Sequence, residues 1–539
     1  MLSKNARGYS EEKLADSKRF RANLADAFLS GELTGQRAAS LFSDAKASGS
    51  RHIDDLGHLP KHQQNHNRSL KRKLLKNTEW PRLYWAPIRL WSDKRQQMVK
   101  QELPFLLPHE LLFKLMLHGD PGIFMSKENL QPDDEQHLAY AASHMSLPSH
   151  NSLLPLGLWS DAVPCNWDRS QSLGLLVLNF PSLPGQWHKL RIPIFCCKKH
   201  FQIKQLTMDD AMNVALQATR GSRKKAGDDL PRAVLTQIRG DRKMLKELFA
   251  LPQHNEVNGI CFRCPCTPAT MREVGLSASW TQRHYDDWSF MTRFLMQGRL
   301  VSPVFGIPCF KPGNVIRLDW LHVVDLGVAA DTAGQILWQV QLRLPGSNVA
   351  ERLKALFLEM KGFYGESHSP DQLNTLTETM IRKDSRAAPK LKAKGAEVRK
   401  LIPFLVEIAN RYLVDPAKPE DEAQRKCVRH LLDCYEALTE PYSRDDLMLA
   451  GRLFASQAVA LEAYFDDGVT WRTKPKMHLF MHLIESHANP STIWCYRDED
   501  YGGAAANAVR MKGGWNTAPS SSQQVLDKFR AKHQLPCIM

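Results

Sequence analysis

Three apolar runs, each about as long as a β-strand, follow one another between residues 153 and 195. They are residues 153–163 (Leu-Leu-Pro-Leu-Gly-Leu-Trp-Ser-Asp-Ala-Val), 172–180 (Ser-Leu-Gly-Leu-Leu-Val-Leu-Asn-Phe) and 188–195 (His-Lys-Leu-Arg-Ile-Pro-Ile-Phe). Short polar connections separate them, which is typical of an antiparallel meander. The unbroken apolar character of the second run predicts a strand covered on both faces. The three runs therefore predict a sheet at the centre of an α/β fold.

The rest of the chain predicts what surrounds this sheet. Residues 205–250 have a helical pattern, and residues 314–323 (Asn-Val-Ile-Arg-Leu-Asp-Trp-Leu-His-Val) predict a fourth strand that gives way to a helix. Residues 330–470 show helical periodicity almost throughout, with a basic break at residues 382–400. We therefore expect a mixed sheet with flanking helices, a cysteine-containing insertion and a large all-helical insertion.

These patterns also suggest an organisation into regions. We predict a basic, helical N-terminal region with a linker (1–78), the first half of the core with strands one to three (79–204), and a helical insertion with a Cys-x-x-Cys motif (205–310). The fourth strand and its helix (311–335), a helical insertion (336–470) and a C-terminal core helix with a tail (471–539) complete the chain.

Composition limits the function classes. The chain has 539 residues, a formal net charge of +15 and 43% hydrophobic residues, which favours packed cores over disorder. An excess of positive charge suits a polyanionic partner such as nucleic acid, although a basic protein without such a partner is equally compatible. We expect no signal peptide and no membrane helix. Eleven cysteines without a secretion signal favour reduced thiols and an intracellular protein.

Acidic residues in apolar surroundings are the main candidates for chemistry. Asp161 and Asp319 lie where the first and fourth predicted strands end, and Glu499 would begin a helix packed on the sheet. Buried carboxylates must be paired or must hold a cation. Three such acids can hold two divalent cations, and Mg²⁺ suits an all-oxygen site. Taken singly, each acid is more simply a helix cap or an ion-pair partner. Together with the meander, the three predict a ribonuclease H-like plan.

Four motifs, in order over residues 150–515, resemble those of CACTA (En/Spm-like) DDE transposases and the related Kyakuja–Dileera–Zisupton and Plavaka transposases. The segment Gly-Leu-Trp-Ser-Asp-Ala-Val-Pro (157–164) resembles the strand with the first aspartate, and Cys-Phe-Arg-Cys (261–264) resembles the family's Cys-x-x-Cys. Asp-Trp-Leu-His (319–322) resembles its Asp-x-x-His. The fourth motif combines His-Leu-Phe-Met-His (478–482) with the acidic segment 496–502.

The resemblance implies Mg²⁺- or Mn²⁺-dependent cleavage at transposon ends, followed by strand transfer. It implies Asp161, Asp319 and Glu499 as catalytic, metal-binding residues, double-stranded DNA as substrate and target, a homo-oligomer on DNA, and a nuclear location. Here Ala162 replaces the family's usual glycine, and Arg497-Asp498 replaces Pro-Phe. The copy is either active or decayed. The alternatives are an inactive transposase-derived DNA- or chromatin-binding protein, and a metal-dependent nuclease without strand transfer.

Several other residues are candidate partners of this site. Asp498 and Asp500 flank Glu499, but successive residues on a helix diverge by about 100°, so only one of the three faces the metals squarely. The register of the motif in the resembling family favours Glu499. His322 lies about one helical turn after Asp319 and is an accessory candidate. It either contacts the scissile phosphate or a metal, or is a core histidine.

Cys261 and Cys264 have the spacing of half a zinc site. Candidates for the other half are His254, His284, Cys309 and His322, and buried free thiols are the alternative. His478 and His482 have the spacing of a metalloprotease motif, but Leu479 stands where that motif requires glutamate. We therefore expect these two histidines to pack against the sheet.

Three basic stretches are candidate phosphate-contact surfaces: residues 68–76, 220–225 and 382–400. A solvated charge run is the simpler reading of any one of them. The residues that we expect to contact DNA are Arg68, Lys71, Arg72, Lys73, Arg223, Lys224 and Lys225.

Overall fold

The computed structural model describes residues 11–30, 32–57, 62, 65–76, 80–118, 121–183, 190–221, 231–252, 256, 259–282, 285–368, 370–510 and 517–533. Within them the protein is a mixed α/β structure. Its strands are β1 (Tyr84–Ser92), β2 (Gln97–Phe105), β3 (Leu153–Pro164), β4 (Ser172–Asn179), β5 (Ile192–Lys198) and β6 (Arg232–Arg239).

The central sheet has the strand order β5-β4-β3-β6. The pairs β3–β4 and β4–β5 are antiparallel, which confirms the predicted meander, and β6 is parallel to β3. Nearly every residue of β4 and β5 is buried, because helices cover both faces of the sheet. The separate hairpin of β1 and β2 lies beside this sheet, where Leu90 forms an isolated bridge with Gln202.

The predicted position of the fourth strand is wrong. β6 lies within the segment 205–250 that we expected to be helical, whereas residues 314–323 contribute a single parallel bridge, Ile316 to Ile238. A short apolar run does not distinguish a strand from a buried helix by its periodicity. Pro312 instead begins a one-turn helix, and residues after Asp319 enter a π-helix. The bridge nevertheless places residue 316 next to β6, on the side away from β3.

Helices precede and follow the sheet. Those of the N-terminal third are α1 (Glu11–Ser30), α2 (Gly35–Ala47), α3 (His66–Lys76), α4 (Pro108–His118), α5 (Pro121–Met125) and α6 (Pro132–His144). Helices α1 and α2 lie in the N-terminal region that was predicted to be helical. They share a small apolar core with α3, built around Phe28, Phe42 and Leu70. This N-terminal bundle is therefore a packed unit.

Helix α7 (Leu206–Gly221) connects β5 to β6. Between β6 and the π-helix (Leu321–Val328) lie α8 (Arg242–Phe249), α9 (Asp287–Met296) and α10 (Pro312–Val315). A long helical block follows, which confirms the helical periodicity of residues 330–470. It comprises α11 (Ala329–Gln341), α12 (Val349–Ser367), α13 (Glu378–Ile381), α14 (Gly395–Tyr412), α15 (Pro419–Glu436) and α16 (Arg444–Leu461).

The chain then returns to the sheet through α17 (Pro475–Glu485), α18 (Pro490–Ile493), α19 (Tyr496–Arg510) and α20 (Ala518–Lys532). One continuous apolar core joins the sheet, the helical block and these C-terminal helices. Among the helices described, none has the length and apolar character needed to cross a bilayer.

Candidate functional site

Asp161 lies inside β3, paired with Leu175 of β4, three residues before the strand ends. It is buried, and its Oδ1 accepts a hydrogen bond from the backbone N–H of Ala162 at 2.6 Å. Burial raises the pKa of Asp161, and the negative charge of Asp241 raises this pKa further. An acid surrounded by apolar side chains and a second acid is destabilised as an anion, so the site favours a cation.

Asp241 is a site residue that the sequence analysis missed. Arg239, the last residue of β6, pairs with Trp159 of β3 in a parallel register. Two residues further along the chain from this pair, Asp161 and Asp241 therefore lie at the same end of the sheet. Asp241 also caps α8, where its Oδ1 accepts the N–H of Met244 at 2.6 Å. An acid shortly after a strand-like run (232–239) is a recognisable signal, but the sequence pattern predicted a helix for residues 205–250.

Asp319 is fully engaged by hydrogen bonds within the protein. Its Oδ1 accepts the backbone N–H groups of Leu321 at 3.2 Å and Cys495 at 2.8 Å. Its Oδ2 accepts the N–H of His322 at 3.0 Å and lies 2.5 Å from His322 Nδ1. A carboxylate offers about four lone-pair positions, and four donors occupy them here. Asp319 is therefore arranged to orient His322, with little capacity left for a metal.

His322 and Glu499 meet at the accessible side of this cluster. His322 Nε2 lies 3.7 Å from Glu499 Oε1, and their side chains are 22% and 31% exposed, enough for a ligand to reach them. Oε1 is buried and accepts no hydrogen bond from the described residues. Gly502, one turn later, allows α19 to approach the sheet, since a Cβ there would lie 2.8 Å from Val163.

The charges of Asp161, Asp319, His322 and Glu499 change one another's pKa values. Burial raises the pKa of Glu499, and the charge of Asp161 adds to this, so that it reaches about 8. Burial lowers the pKa of His322, but the hydrogen bond and charge of Asp319, together with Glu499 and Asp161, outweigh this and bring it to about 9. Burial opposes ionisation of Asp319, yet the hydrogen bond from His322 lowers the pKa of Asp319 below its ordinary value. The cluster thus joins an imidazolium to carboxylates that repel one another.

The neighbours of Glu499 point elsewhere, as the helical geometry predicts. Asp498 is completely buried, with its Oδ1 3.1 Å from Arg191 Nε and its Oδ2 3.2 Å from Arg239 Nη2. Asp500 is exposed. The structure thus brings together Asp161, Asp319, His322 and Glu499, and it separates Asp498 and Asp500 from them.

The π-helix that carries His322 is supported from the helical block and from α17. Wide helical turns leave carbonyl groups without their usual partners. Lys476 Nζ donates to the carbonyls of His322 at 2.6 Å and Leu326 at 3.1 Å. Asp325 accepts hydrogen bonds from Tyr435 at 2.5 Å and Tyr496 at 2.6 Å, which joins the π-helix to α15 and α19. His322 is therefore held by residues far away in sequence.

A second cluster consists of Cys261, Cys264, His478 and His482. One potential ligand atom from each of these four buried residues lies within 4.8 Å of the others. His478 Nε2 and His482 Nε2 lie 3.2 and 3.3 Å from Cys264 Sγ. Trp280 packs edge-on against both imidazoles. This Cys/His cluster is enclosed on all sides by protein, unlike the acidic cluster.

The expected role of these two histidines, packing against the sheet, is corrected by this geometry. They supply the half of the cluster that we had sought among His254, His284, Cys309 and His322. His254 and His284 lie outside the described residues, Cys309 Sγ contacts the carbonyl of Ala141, and His322 belongs to the acidic cluster. Two thiols and two imidazoles within such distances form a set that is compatible with a metal such as zinc.

The predicted DNA-contact residues are only partly described. Arg68 and Arg72 are exposed on α3, whereas Lys71 pairs with Asp527 of α20 at 3.4 Å. Lys73 lies on the same helix and is half-buried. Arg223, Lys224 and Lys225 lie outside the described residues.

No protein-family model matches this chain, and a search of the curated proteins finds no match either. What the chain does is therefore inferred from its own residues and their geometry.

Proposed function

We propose that this protein is a DDE-type transposase that cleaves and joins DNA with divalent cations. The observation that carries the proposal is a group of three acids at one end of the sheet, next to the Asp319–His322 pair. Asp161 comes from β3, Asp241 follows β6, and Glu499 comes from α19. The charge of Asp241 raises the pKa of Asp161, and the charge of Asp161 raises the pKa of Glu499, so a cation between these groups would stabilise them as anions. A half-open cluster of such acids suits metal-assisted phosphodiester chemistry.

The sheet supports the expected ribonuclease H-like core. An antiparallel meander of three strands, with a fourth strand parallel to its first, has the order β5-β4-β3-β6. The parallel bridge between Ile316 and Ile238 places residue 316 beside β6, where a fifth strand of the sheet would pair. In this arrangement the acids of β3 and of the loop after β6 lie side by side, and a returning helix supplies the third.

We assign the roles of the acids differently from the motif-based prediction. Asp161, Asp241 and Glu499 would hold Mg²⁺ or Mn²⁺, since Asp319 has its lone pairs occupied. Glu499 Oε1 accepts no hydrogen bond from the described residues, so this oxygen is free to serve as a metal ligand. Bound there, the cations would activate a water or a 3′-hydroxyl and stabilise the leaving oxygen.

Asp319 is then a positioning residue. By accepting the Nδ1 proton, it fixes the orientation of His322 and favours its protonated form. Protonated His322 presents Nε2–H at the accessible side of the cluster, next to Glu499. A cation there can donate a hydrogen bond to an oxygen of the scissile phosphate.

We also propose that the Cys/His cluster holds a structural Zn²⁺. Four ligands with no open position are typical of structural zinc sites. The buried Nδ1 of His478 has no hydrogen-bond partner among the described residues, a cost that zinc bound at Nε2 would help to offset. The zinc would join the segment after α8, which carries Cys261 and Cys264, to α17 and thereby support the position of Lys476 against the π-helix.

DNA transposition implies further properties of the protein. We expect double-stranded transposon ends and target DNA as partners, a homo-oligomer assembled on DNA, and a nuclear location. The net charge of +15 supports a polyanionic partner.

A nicking assay on supercoiled plasmid in Mg²⁺ or Mn²⁺ tests the proposal without knowledge of the end sequence. We expect wild type to nick, and Asp161→Asn, Asp241→Asn and Glu499→Gln to lose nicking. Asp500→Asn is the matched control, because it removes an exposed acid of the same helix. Equal nicking by wild type and the three variants would exclude this catalytic site.

A second substrate, an oligonucleotide duplex with a free 3′-hydroxyl, separates the three functions. Joining of its 3′ end to plasmid supports a transposase. Nicking without joining indicates a metal-dependent nuclease. DNA binding without either reaction, in both cations, indicates an inactive DNA- or chromatin-binding derivative.

A further inference from the structure

The hairpin of β1 and β2 exposes large apolar side chains on one face. Trp85, Trp91 and Met98 are 39%, 37% and 53% exposed, and Trp91 lies directly opposite Met98 in the strand register. The other face of the hairpin is anchored, because Ile88 and Leu90 are buried in the main core. A rigid ribbon that keeps tryptophan and methionine in water is typical of a binding surface.

Cations surround these apolar side chains. Lys94 and Arg95 lie in the turn between the two strands, and Lys100 lies opposite Arg89 on the outward face. All three are exposed, and none forms an ion pair with the described residues. Arg89 is engaged instead by Asp210, at 2.6 Å. The hairpin also carries two exposed acids, Asp93 and Glu102, so its three exposed cations leave a small excess of positive charge around the apolar tip.

A basic cleft lies near this hairpin. Its empty space is about 1180 Å³, open to solvent, and its cationic lining residues are Lys204, Lys243, Lys246 and Arg299. Of the acids that line it, Glu247 already pairs with Lys199, at 3.3 Å. The lysines of the cleft form no ion pair with the residues that the structure describes. The cleft therefore carries positive charge that a ligand can neutralise.

The hairpin, the cleft and the acidic cluster occupy the same end of the sheet. β5 runs parallel to β3, so the segment 199–204 that follows it emerges at the end where Asp161 lies. Lys243 and Lys246 belong to α8, which Asp241 caps. The bridge from Leu90 to Gln202 fixes the hairpin to this segment. A polyanion on the cleft would therefore pass from the hairpin toward the acids.

We propose that this surface, the hairpin tip with the lysines of the cleft, binds the duplex DNA that flanks the cleavage point. The proposal rests on the proposed function and adds the path of the substrate. Lys204, Lys243 and Lys246 contact phosphates, and Trp91 with Met98 enters a groove and wedges against a base step. Apolar wedges flanked by cations are a known way for proteins to grip and bend duplex DNA.

Fluorescence anisotropy tests this with a labelled duplex of about 30 base pairs in buffer without Mg²⁺ or Mn²⁺, where no cleavage can interfere and the proposed zinc is retained. We expect Trp91→Ala/Met98→Ala to weaken binding about tenfold, because wedge and stacking contacts have effects of this size. Tyr464→Ala is the matched control, since Tyr464 is an exposed aromatic residue of the helical block.

The salt dependence distinguishes the two parts of the surface. Each lost phosphate contact lowers the slope of log K against log salt by about 0.9, so Lys243→Ala/Lys246→Ala should lower it by about 2. The hairpin variant should leave the slope almost unchanged. Lys354→Ala, an exposed lysine of α12, is the control for charge.

The outcomes separate this proposal from the proposed function. If the hairpin and cleft variants bind duplex DNA with wild-type affinity, the proposed DNA-binding surface is wrong. Plasmid nicking by wild type would still support the catalytic site. A wild type that binds no duplex overturns it as well. A loss confined to single-stranded oligonucleotide assigns the hairpin to single strands and refutes the duplex path. All substituted side chains reach solvent, so unchanged thermal unfolding serves as the check on folding.

Discussion

The acidic cluster and the Cys/His cluster are built from the same parts of the chain but in opposite ways. Each joins residues from before the helical block to residues from after it: Asp161 with Glu499, and Cys264 with His478. The acidic cluster is partly exposed, and its carboxylates repel one another. The Cys/His cluster is buried and walled by Trp280. An open set of ligands suits chemistry, and a closed set suits structure.

The contrast predicts opposite relations between stability and activity. Removal of an acid that repels its neighbours should raise the free energy of unfolding and lower the proposed nicking activity, which is the usual trade-off at active sites. Removal of a ligand from a closed metal site damages the fold, and activity is lost with it.

The largest effect is expected at the acidic cluster. Asp161→Asn should lower the nicking rate by at least about 10³-fold. Above about pH 8 and without Mg²⁺ or Mn²⁺, where Asp161 and Glu499 are both ionised, it should also raise the thermal midpoint, because one of two repelling, buried carboxylates is gone. Plasmid nicking, and thermal unfolding in buffer without Mg²⁺ or Mn²⁺, measure the two effects. If Asp161→Asn is both inactive and less stable than wild type, the predicted difference between the acidic cluster and the Cys/His cluster is wrong.

The next largest effect is expected at the Cys/His cluster. We expect purified protein to contain about one Zn²⁺ per chain, and Cys264→Ser to lose it. The loss should cost on the order of 5 kcal/mol and lower the thermal midpoint by roughly 10 °C. Elemental analysis and calorimetry provide the readouts. Cys309→Ser, a buried thiol outside the cluster, should retain the metal; equal loss of zinc in both variants would contradict the assignment.

Asp498 tests whether the acids of α19 differ in role. Asp498→Asn leaves the buried guanidinium groups of Arg191 and Arg239 without their anion, which should cost about 3–5 kcal/mol. Asp500→Asn should change stability by less than about 0.5 kcal/mol. Nicking per folded molecule should stay near the wild-type rate in both. A selective loss of nicking in Asp498→Asn would return this acid to the active site.

The smallest effect concerns pH. Burial raises the pKa of Asp325 from 3.8 to about 7, although Tyr435 and Tyr496 donate to it. Between these two pKa values the unfolded chain has released a proton that the folded protein retains, so stability falls as pH rises from about 4 to 7. The decrease should be at most about 4 kcal/mol, and Asp325→Asn should reduce it. Thermal midpoints across this pH range, compared between wild type and variant, measure it; identical profiles would contradict the prediction.

Part of this architecture could be predicted from sequence because its signals are local. The meander followed from three apolar runs with short connections, and the choice of Glu499 among three neighbouring acids followed from its register in the motif resemblance. β6 did not, since eight residues with both helical and strand character are decided by pairing with β3. Asp241 was missed for the same reason, as its importance depends on that strand.

The roles of Asp319 and of the histidines required tertiary contacts. An Asp-x-x-His spacing is compatible with metal binding and with a positioning pair, and only the donors from Leu321 and Cys495 distinguish them. His478 and His482 showed a helical spacing, but nothing in the 213 residues between Cys264 and His478 indicates that they meet. Distant pairings of this kind leave no periodic trace in a single sequence.

The contact of Lys476 with the carbonyls of His322 and Leu326 has a consequence for evolution. It marks the place where the chain leaves the sheet for the helical block and the place where it returns, and the two are adjacent. Helices lost or gained between these points need not move Asp161, Asp241 or Glu499, because loop-closure entropy grows only slowly with length. Relatives of this protein can therefore differ greatly in length within the block and still keep the same spatial arrangement of acids.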